Sequence, residues 1–319
     1  MAEAQPLLHV MAGVIRGADG RVLIAQRLAH ADHGGLWEFP GGKLEAGEAR
    51  LAGLRRELEE ELGIIVRAAA PLMQVTHVYP HRRVLLDILE VIDWLGTAHG
   101  REGQPLAWVV PDELPRYAFP AANVPIIAAA RLPRLCLITP EPDHLDVWLA
   151  ALTAALRSGI RLVQLRAKTL DAADYLLLAK RVVPLVQSAG AKVLLNADPA
   201  LVAMTGADGV HLDARRLHAL ATRPFDSPGL VTGVCHGEAD LTKAQALGVD
   251  ALFISPVAKT TSHPEASALG FERLAELARR ANIASYALGG MTLADLPAVM
   301  DAGCMGIAAI SGLWAEGRD

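Results

Sequence analysis

The strongest constraint on this chain is an alternation in its second half. Short apolar runs recur: LCLIT (135–139), RLVQL (161–165), KVLLN (192–196), DGVHL (208–212), LVTGV (230–234), ALFIS (251–255), SYALG (285–289) and GIAAI (306–310). Between them lie Ala- and Leu-rich stretches of helical periodicity, for example at 143–158, 172–188, 239–247, 270–281 and 293–302. Strands that are apolar throughout belong in a sheet covered on both faces, and β/α alternation implies parallel pairing. Eight such units in about 185 residues predict a compact (β/α)8 barrel of TIM type, with its ligand sites at the C-terminal strand ends.

The residues before the barrel follow a different plan. Residues 8–15 and 21–26 read as strands joined by the turn GADG. A helix is predicted over 48–62, strands near 72–79 and 84–93, a loop through WVVPDELPRYAFPAANVPII, and a short helix near 124–131. This is a mixed α+β domain. RLPRL (131–135) marks the boundary, giving expected domains at 1–132 and 133–319.

Composition narrows the function classes. Of 319 residues, 52% are hydrophobic and 20% charged, which supplies two cores and excludes a disordered chain. A net charge of -5 leaves no basic surface for DNA or RNA, yet suits a nucleotide held through a cation. Cys136, Cys235 and Cys304 are too dispersed for a disulfide framework and are expected as buried thiols. The N-terminal stretch MAEAQPLLHVMAGVI lacks a basic leader and cleavage site, and no apolar run reaches the about 18 residues of a membrane span. The expectation is a cytoplasmic protein with no membrane partner. No pattern specifies an oligomer.

Residues 42–64 carry the densest chemistry, in GGKLEAGEARLAGLRRELEEELGI, which begins at Gly41. On a helix, Glu57, Glu60 and Glu61 stand at i, i+3 and i+4, so three carboxylates share one face. Like charges so placed destabilise a helix unless a cation neutralises them, and hard divalent ions do so through oxygen ligands. Arg56 can hold one carboxylate in place. Gly41, Gly42 and Gly63 permit tight backbone at either end. The alternative for an isolated RRELEEE run is a solvated acidic helix; the full pattern with Glu48 and flanking WEFPGGK favours a metal site.

This region resembles the MutT branch of the Nudix hydrolases over nearly all of residues 8–131, with WEFPGGKLEAGE, REGQP and FPAANVPII as further matching segments. The resemblance implies an α/β/α sandwich that removes pyrophosphate from nucleoside triphosphates, notably 8-oxo-dGTP, with Mg²⁺ or Mn²⁺. It implies metal ligation by Glu57, Glu60, Glu61, Glu102 and the Gly41 carbonyl. It further implies catalysis with Glu57 or Glu102 as base, assisted by Arg56 and Glu48, and substrate contacts from Arg27, Glu38, Phe39, Pro40, Gly41 and Asn123. An amide at Asn123 offers both donor and acceptor to a purine edge. The loop AHADHGGLW (29–37) departs from the branch and adds His33 and Trp37.

The second half resembles the thiamine-phosphate synthase and TenI-like barrels, through QLRAK (164–168), DGVHL, GVCH (233–236), ALGGM (287–291) and GIAAISGLW (306–314). The resemblance implies a phosphorylated, thiamine-related ligand held by Gln164, Arg166, Lys168, Asn196, His211, His236, Thr260, Gly289, Gly290, Ser311 and Gly312. Departures are specific. Asn196–Ala197–Asp198 replaces Asn–Asp–Arg, Asp213–Ala214–Arg215–Arg216 replaces a Gly-Gln segment with its aspartate, and His263 stands in place of a lysine. Without those carboxylates a Mg²⁺–pyrophosphate group lacks its ligands, which points away from synthase activity; Asp198 and Asp213 are the substitutes within reach. The alternative is a bifunctional thiamine-pathway enzyme, with synthase or pyrophosphate-hydrolysing activity.

Overall fold

The computed structural model describes residues 7–30, 33–226, 228–259 and 267–314. The chain divides into two compact units, Met1–Arg131 and Leu132–Asp319.

In the first unit, β1 (Leu7–Ile15) lies parallel to β5 (Arg82–Leu95), which pairs antiparallel with β4 (Ile65–Tyr79). A second small sheet orders β3 (Trp37–Glu38), β2 (Val22–Gln26) and β6 (Leu106–Val109). The principal helix, α1 (Arg50–Leu62), buries Leu54, Leu58 and Leu62 at intervals of four. That stripe packs on Met11, Ile15, Leu89 and Val91 of the β1–β5 sheet, which leaves the carboxylate-bearing positions on other faces of the helix. Gly63, at φ 68, ends α1 in the left-handed region that glycine tolerates. Helix α2 (Val124–Arg131) closes the unit.

Several elements escape the sequence reading. Strands β3 and β6 fall in stretches left unassigned or read as loop, since β3 has two residues and β6 lies between Pro105 and Pro111. Strand β4 begins seven residues before the expected 72, at Ile65, because RAAAP carries neither alternation nor branching. Its ladder shifts register three times between Val66 and Met73. Helix α1 starts at Arg50 rather than 48.

The second unit is a closed parallel barrel of β7 (Leu135–Ile138), β8 (Leu162–Leu165), β9 (Lys192–Leu195), β10 (Gly209–Leu212), β11 (Leu230–Cys235), β12 (Ala251–Ile254), β13 (Ala284–Leu288) and β14 (Gly306–Ala309) in sequential order. Helices α3 (Leu145–Arg157), α4 (Ala172–Ser188), α5 (Ala200–Thr205), α6 (Ala214–Ala219), α7 (Glu238–Leu247), α8 (Gly270–Ala281) and α9 (Leu296–Asp301) follow the first seven strands. Of the expected helix at 293–302, the first turn is 3-10, Leu293–Asp295. The strands are buried on both faces: β10, β11, β12 and β14 have no exposed position. The three cysteines are free and buried. No helix among the described residues is long and apolar enough to cross a membrane.

Candidate functional site

The acidic segment is built around α1. Glycine at Gly53 lets the loop before the helix approach it, because a Cβ there would sit 2.5 Å from Leu44 Cδ1 and 2.9 Å from Glu48 Oε2. Glu48 is thereby brought to Arg56, whose Nε and Nη2 each donate to its carboxylate at 3.0 Å. Arg56 Nη1 also donates to Glu57 at 2.7 Å, and Nη2 to the Lys43 carbonyl at 3.0 Å. One guanidinium thus fixes the loop and Glu57 together. The hydrogen bonds from Arg56 hold Glu48 below the usual carboxylate range.

The Gly41 N–H donates to Glu61 at 3.1 Å, and the Gly42 backbone lies against Glu57, where a Cβ would stand 2.1 Å from Oε2. Gly41 itself, at φ 145, has the Met11 carbonyl 2.2 Å from a virtual Cβ. No side chain fits there. Burial pushes the Glu61 carboxyl up to about 8, reinforced by the charges of Glu38, Glu57 and Glu102. Glu102 is exposed, and its own N–H donates to Gln104 Oε1 at 2.9 Å. Glu60 is mostly exposed and stands 3.7 Å from Arg56. Among the described residues, no three His, Cys, Asp or Glu groups converge tightly enough to hold an ion as they stand. The donor set is nevertheless of hard oxygens, and a buried carboxyl crowded by anions is the environment a divalent cation relieves.

Beside these carboxylates, Arg27 pairs with Glu38, whose carboxyl burial pushes upward despite the guanidinium. Phe39 and Pro40 are buried; Phe39 stacks on Phe119 with centroids 5.5 Å apart. Asn123 ends the 3-10 turn Ala121–Asn123, half-buried. Sequence reasoning missed Asp87, a fully buried carboxylate within the apolar run VLLDILEV. It accepts from Gln74 Nε2 at 3.1 Å, meets His9 Nε2 at 3.1 Å and pairs with Arg50 at the start of α1. The charge inside that run was the available signal.

In the barrel, one cavity of about 1160 Å³ opens at the C-terminal strand ends. It brings together Gln164, Arg166, Lys168, Asn196, His211, His236, Gly289, Gly290, Ser311 and Gly312. Thr260 and His263 lie outside the described residues. Sequence reasoning missed Arg215 and Lys259 as lining residues. Asp213 lines the cavity but caps α6 through the Arg216 N–H at 2.8 Å and pairs with the Arg216 guanidinium. Asp198 caps the Ala200 N–H at 2.9 Å. Glu141 accepts from Arg166 Nη1, from the Lys168 and Thr169 N–H groups and from Thr169 Oγ1. Burial lowers His211 to about 3, so its ring is neutral. Thr232 Oγ1 lies 3.0 Å from His211 Nδ1 and 3.3 Å from the Val210 carbonyl.

Comparison with known proteins decides the family. The NUDIX domain profile matches residues 11–129, and the thiamine monophosphate synthase profile matches residues 135–313. The chain belongs to both families. Its first domain is 39% identical over 121 residues to the 8-oxo-dGTP diphosphatase of Haemophilus influenzae, covering 38% of this chain and 89% of that protein. It is 37% identical over 123 residues to the CTP pyrophosphohydrolase of Escherichia coli, covering 39% and 90%. The barrel is 35% identical over 176 residues to the thiamine-phosphate synthase of Thermus thermophilus, covering 54% and 85%. This Nudix–synthase fusion is therefore a hydrolase of phosphoric anhydrides joined to a synthase-like TIM-type barrel.

Proposed function

We propose that the Nudix domain converts a nucleoside triphosphate, 8-oxo-dGTP foremost, to the monophosphate and pyrophosphate, and so clears oxidised nucleotides from the pool used in DNA replication. The observation that carries this reading is the crowding of Glu38, Glu57 and Glu102 around the buried Glu61, beside the Arg27–Glu38 and Arg56–Glu57 pairs.

Glu57, Glu60, Glu61, Glu102 and the Gly41 carbonyl would hold Mg²⁺ or Mn²⁺. Such an ion, when bound, would supply charge screening for the triphosphate, polarisation at phosphorus and a lowered pKa for water. The chain's own residues do the rest. Arg56 holds Glu57 and Glu48 in register, so the α1 carboxylates are pre-positioned before substrate arrives. The proton of the attacking water goes to Glu57 or Glu102, which the pH–rate profiles of the two glutamine variants separate. Arg27 leaves Glu38 to contact the nucleotide, and Asn123 reads the purine edge with its donor and acceptor. Comparing kcat/KM for 8-oxo-dGTP, dGTP and CTP tests the preference. A CTP value above that of 8-oxo-dGTP would overturn it.

For the barrel we infer binding of a phosphorylated, thiamine-related ligand without synthase turnover. The Gly290, Ser311 and Gly312 N–H groups donate no hydrogen bond among the described residues, and these residues line the cavity at the strand ends where barrels take phosphate. By resemblance to the synthases, one aspartate that a Mg²⁺–pyrophosphate would need is replaced by Ala197, and the segment that carries the other by Asp213–Ala214–Arg215–Arg216. Condensation of a pyrimidine pyrophosphate with a thiazole phosphate, assayed on the full chain with Mg²⁺, should give no thiamine phosphate.

A further inference from the structure

Two of the carboxylates proposed for hydrolysis ride on different segments. Glu61 lies in the last turn of α1, whereas Glu102 lies in the loop TAHGREGQ (97–104). That loop closes over the end of the helix. The His99 N–H donates to the Leu62 carbonyl at 3.1 Å and the Arg101 N–H to the Glu61 carbonyl at 2.9 Å. Arg101 Nη1 donates to the Glu59 carbonyl at 2.9 Å. The carbonyls of a last helical turn have no partner within their own helix, and here the loop supplies one. Glu102 is exposed, and among the described residues no hydrogen bond or ion pair holds its side chain. Where its carboxylate stands therefore depends on where its backbone is held.

One side chain ties that backbone to Glu61. Gln104 is half-buried; its Nε2 donates to the Glu61 carbonyl at 3.1 Å, and its Oε1 accepts from the Glu102 N–H at 2.9 Å. A primary amide serves both at once because it carries donor and acceptor together, which a carboxylate does not. The loop is shaped around this amide. Gly103, at φ 84, turns the chain, and its N–H donates to the Gly100 carbonyl at 3.1 Å. Gly100 leaves no room for a side chain: a Cβ there would stand 2.1 Å from the Gln104 carbonyl oxygen and 3.0 Å from its Oε1. The charge of Glu102 is felt at Glu61, whose carboxyl it helps to push up.

Resting on the reading of Glu61 and Glu102 as members of one hydrolytic site, we propose that Gln104 is a positioning residue for that reaction: its amide fixes where Glu102 stands relative to α1. A simple helix cap needs only the contact to the Glu61 carbonyl, which the Arg101 N–H already makes. The second contact, from the Glu102 N–H, joins the backbones of the two carboxylates through a single rigid group. A misplacement of about 1 Å in a reacting group can cost on the order of a hundredfold in rate, so a bond that holds the backbone of Glu102 bears on turnover.

A double-substitution cycle on the full chain tests this, with 8-oxo-dGTP and saturating Mg²⁺. Gln104→Met keeps the bulk and removes both contacts; it should melt as cooperatively as the unaltered chain and release pyrophosphate about tenfold more slowly or worse. Glu102→Gln should lose at least as much. The losses should not multiply: once Glu102 is replaced, adding Gln104→Met should cost less than about twofold, because the residue it positions is already gone. A second readout needs neither metal nor turnover. In EDTA, amide hydrogen exchange over 97–104 should quicken in Gln104→Met while that over 50–58 of α1 stays as it was. Losses that multiply in the double variant, full turnover in Gln104→Met, or unaltered exchange over 97–104 would each overturn the positioning role while leaving Glu102 in the site. Full turnover in Glu102→Gln would overturn the reading of Glu102 and the proposal with it.

Discussion

At the scale of single residues, Glu61 links charge to stability. Burial and the charges of Glu38, Glu57 and Glu102 raise it from an ordinary 4.5 to about 8. A carboxyl whose folded pKa exceeds its unfolded pKa binds more protons when folded. Its contribution to stability is then full below about 4.5 and is lost as pH rises to about 8. The metal-free Nudix domain should therefore melt lower as pH climbs through that window, and Mg²⁺ should restore it by replacing the proton. In Glu61→Gln that part of the slope should vanish; an unchanged slope would show that Glu61 does not carry it. Two adjacent glycines separate fold from chemistry. Gly41→Ala forces a Cβ onto the Met11 carbonyl at 2.2 Å and should destabilise the domain, whereas Gly42→Ala presses on the end of the Glu57 side chain at 2.1 Å, which can swing away. Gly42→Ala should keep its melting temperature and lose turnover. Equal loss of stability in both would contradict this.

At the scale of elements, α1 is held at its start by Asp87. That carboxylate is fully buried under Arg50, His9 and Gln74. Removing the guanidinium leaves a buried charge short of a partner, so Arg50→Ala should cost about 1–3 kcal/mol by denaturant unfolding. A change within experimental error would mean that His9 and Gln74 suffice. Legibility in the sequence followed the same lines. Helix α1 and the barrel strands were readable because periodicity and burial coincide over long stretches. Strands β3, β6 and the first half of β4 were not, since short or Ala- and Pro-rich segments owe their pairing to neighbours distant in sequence. The carboxylates of α1 announced themselves by spacing. Asp87 and Arg215 did not, because what each does depends on which strand ends and helix starts the fold brings beside it.

At the scale of the whole molecule, each unit has its own core. Met11, Leu54 and Leu58 belong to a cluster within the first unit, and Leu252, Leu277 and Ile307 to one within the second. Residues 1–132 should accordingly fold and hydrolyse nucleotide alone, with kcat/KM within about threefold of the full chain, since no residue proposed for hydrolysis lies beyond Asn123. A fragment that folds but is inactive would place part of the active site in the barrel. The proposed reaction is hydrolysis of a nucleoside triphosphate between its α and β phosphates at the α1 carboxylates. The direct measurement is product analysis of the full chain with 8-oxo-dGTP and Mg²⁺, in parallel with Glu57→Gln. One pyrophosphate and one monophosphate should appear per nucleotide consumed, and the substitution should slow the reaction on the order of a hundredfold or more. Release of single phosphates, or full activity in Glu57→Gln, would rule that reaction out.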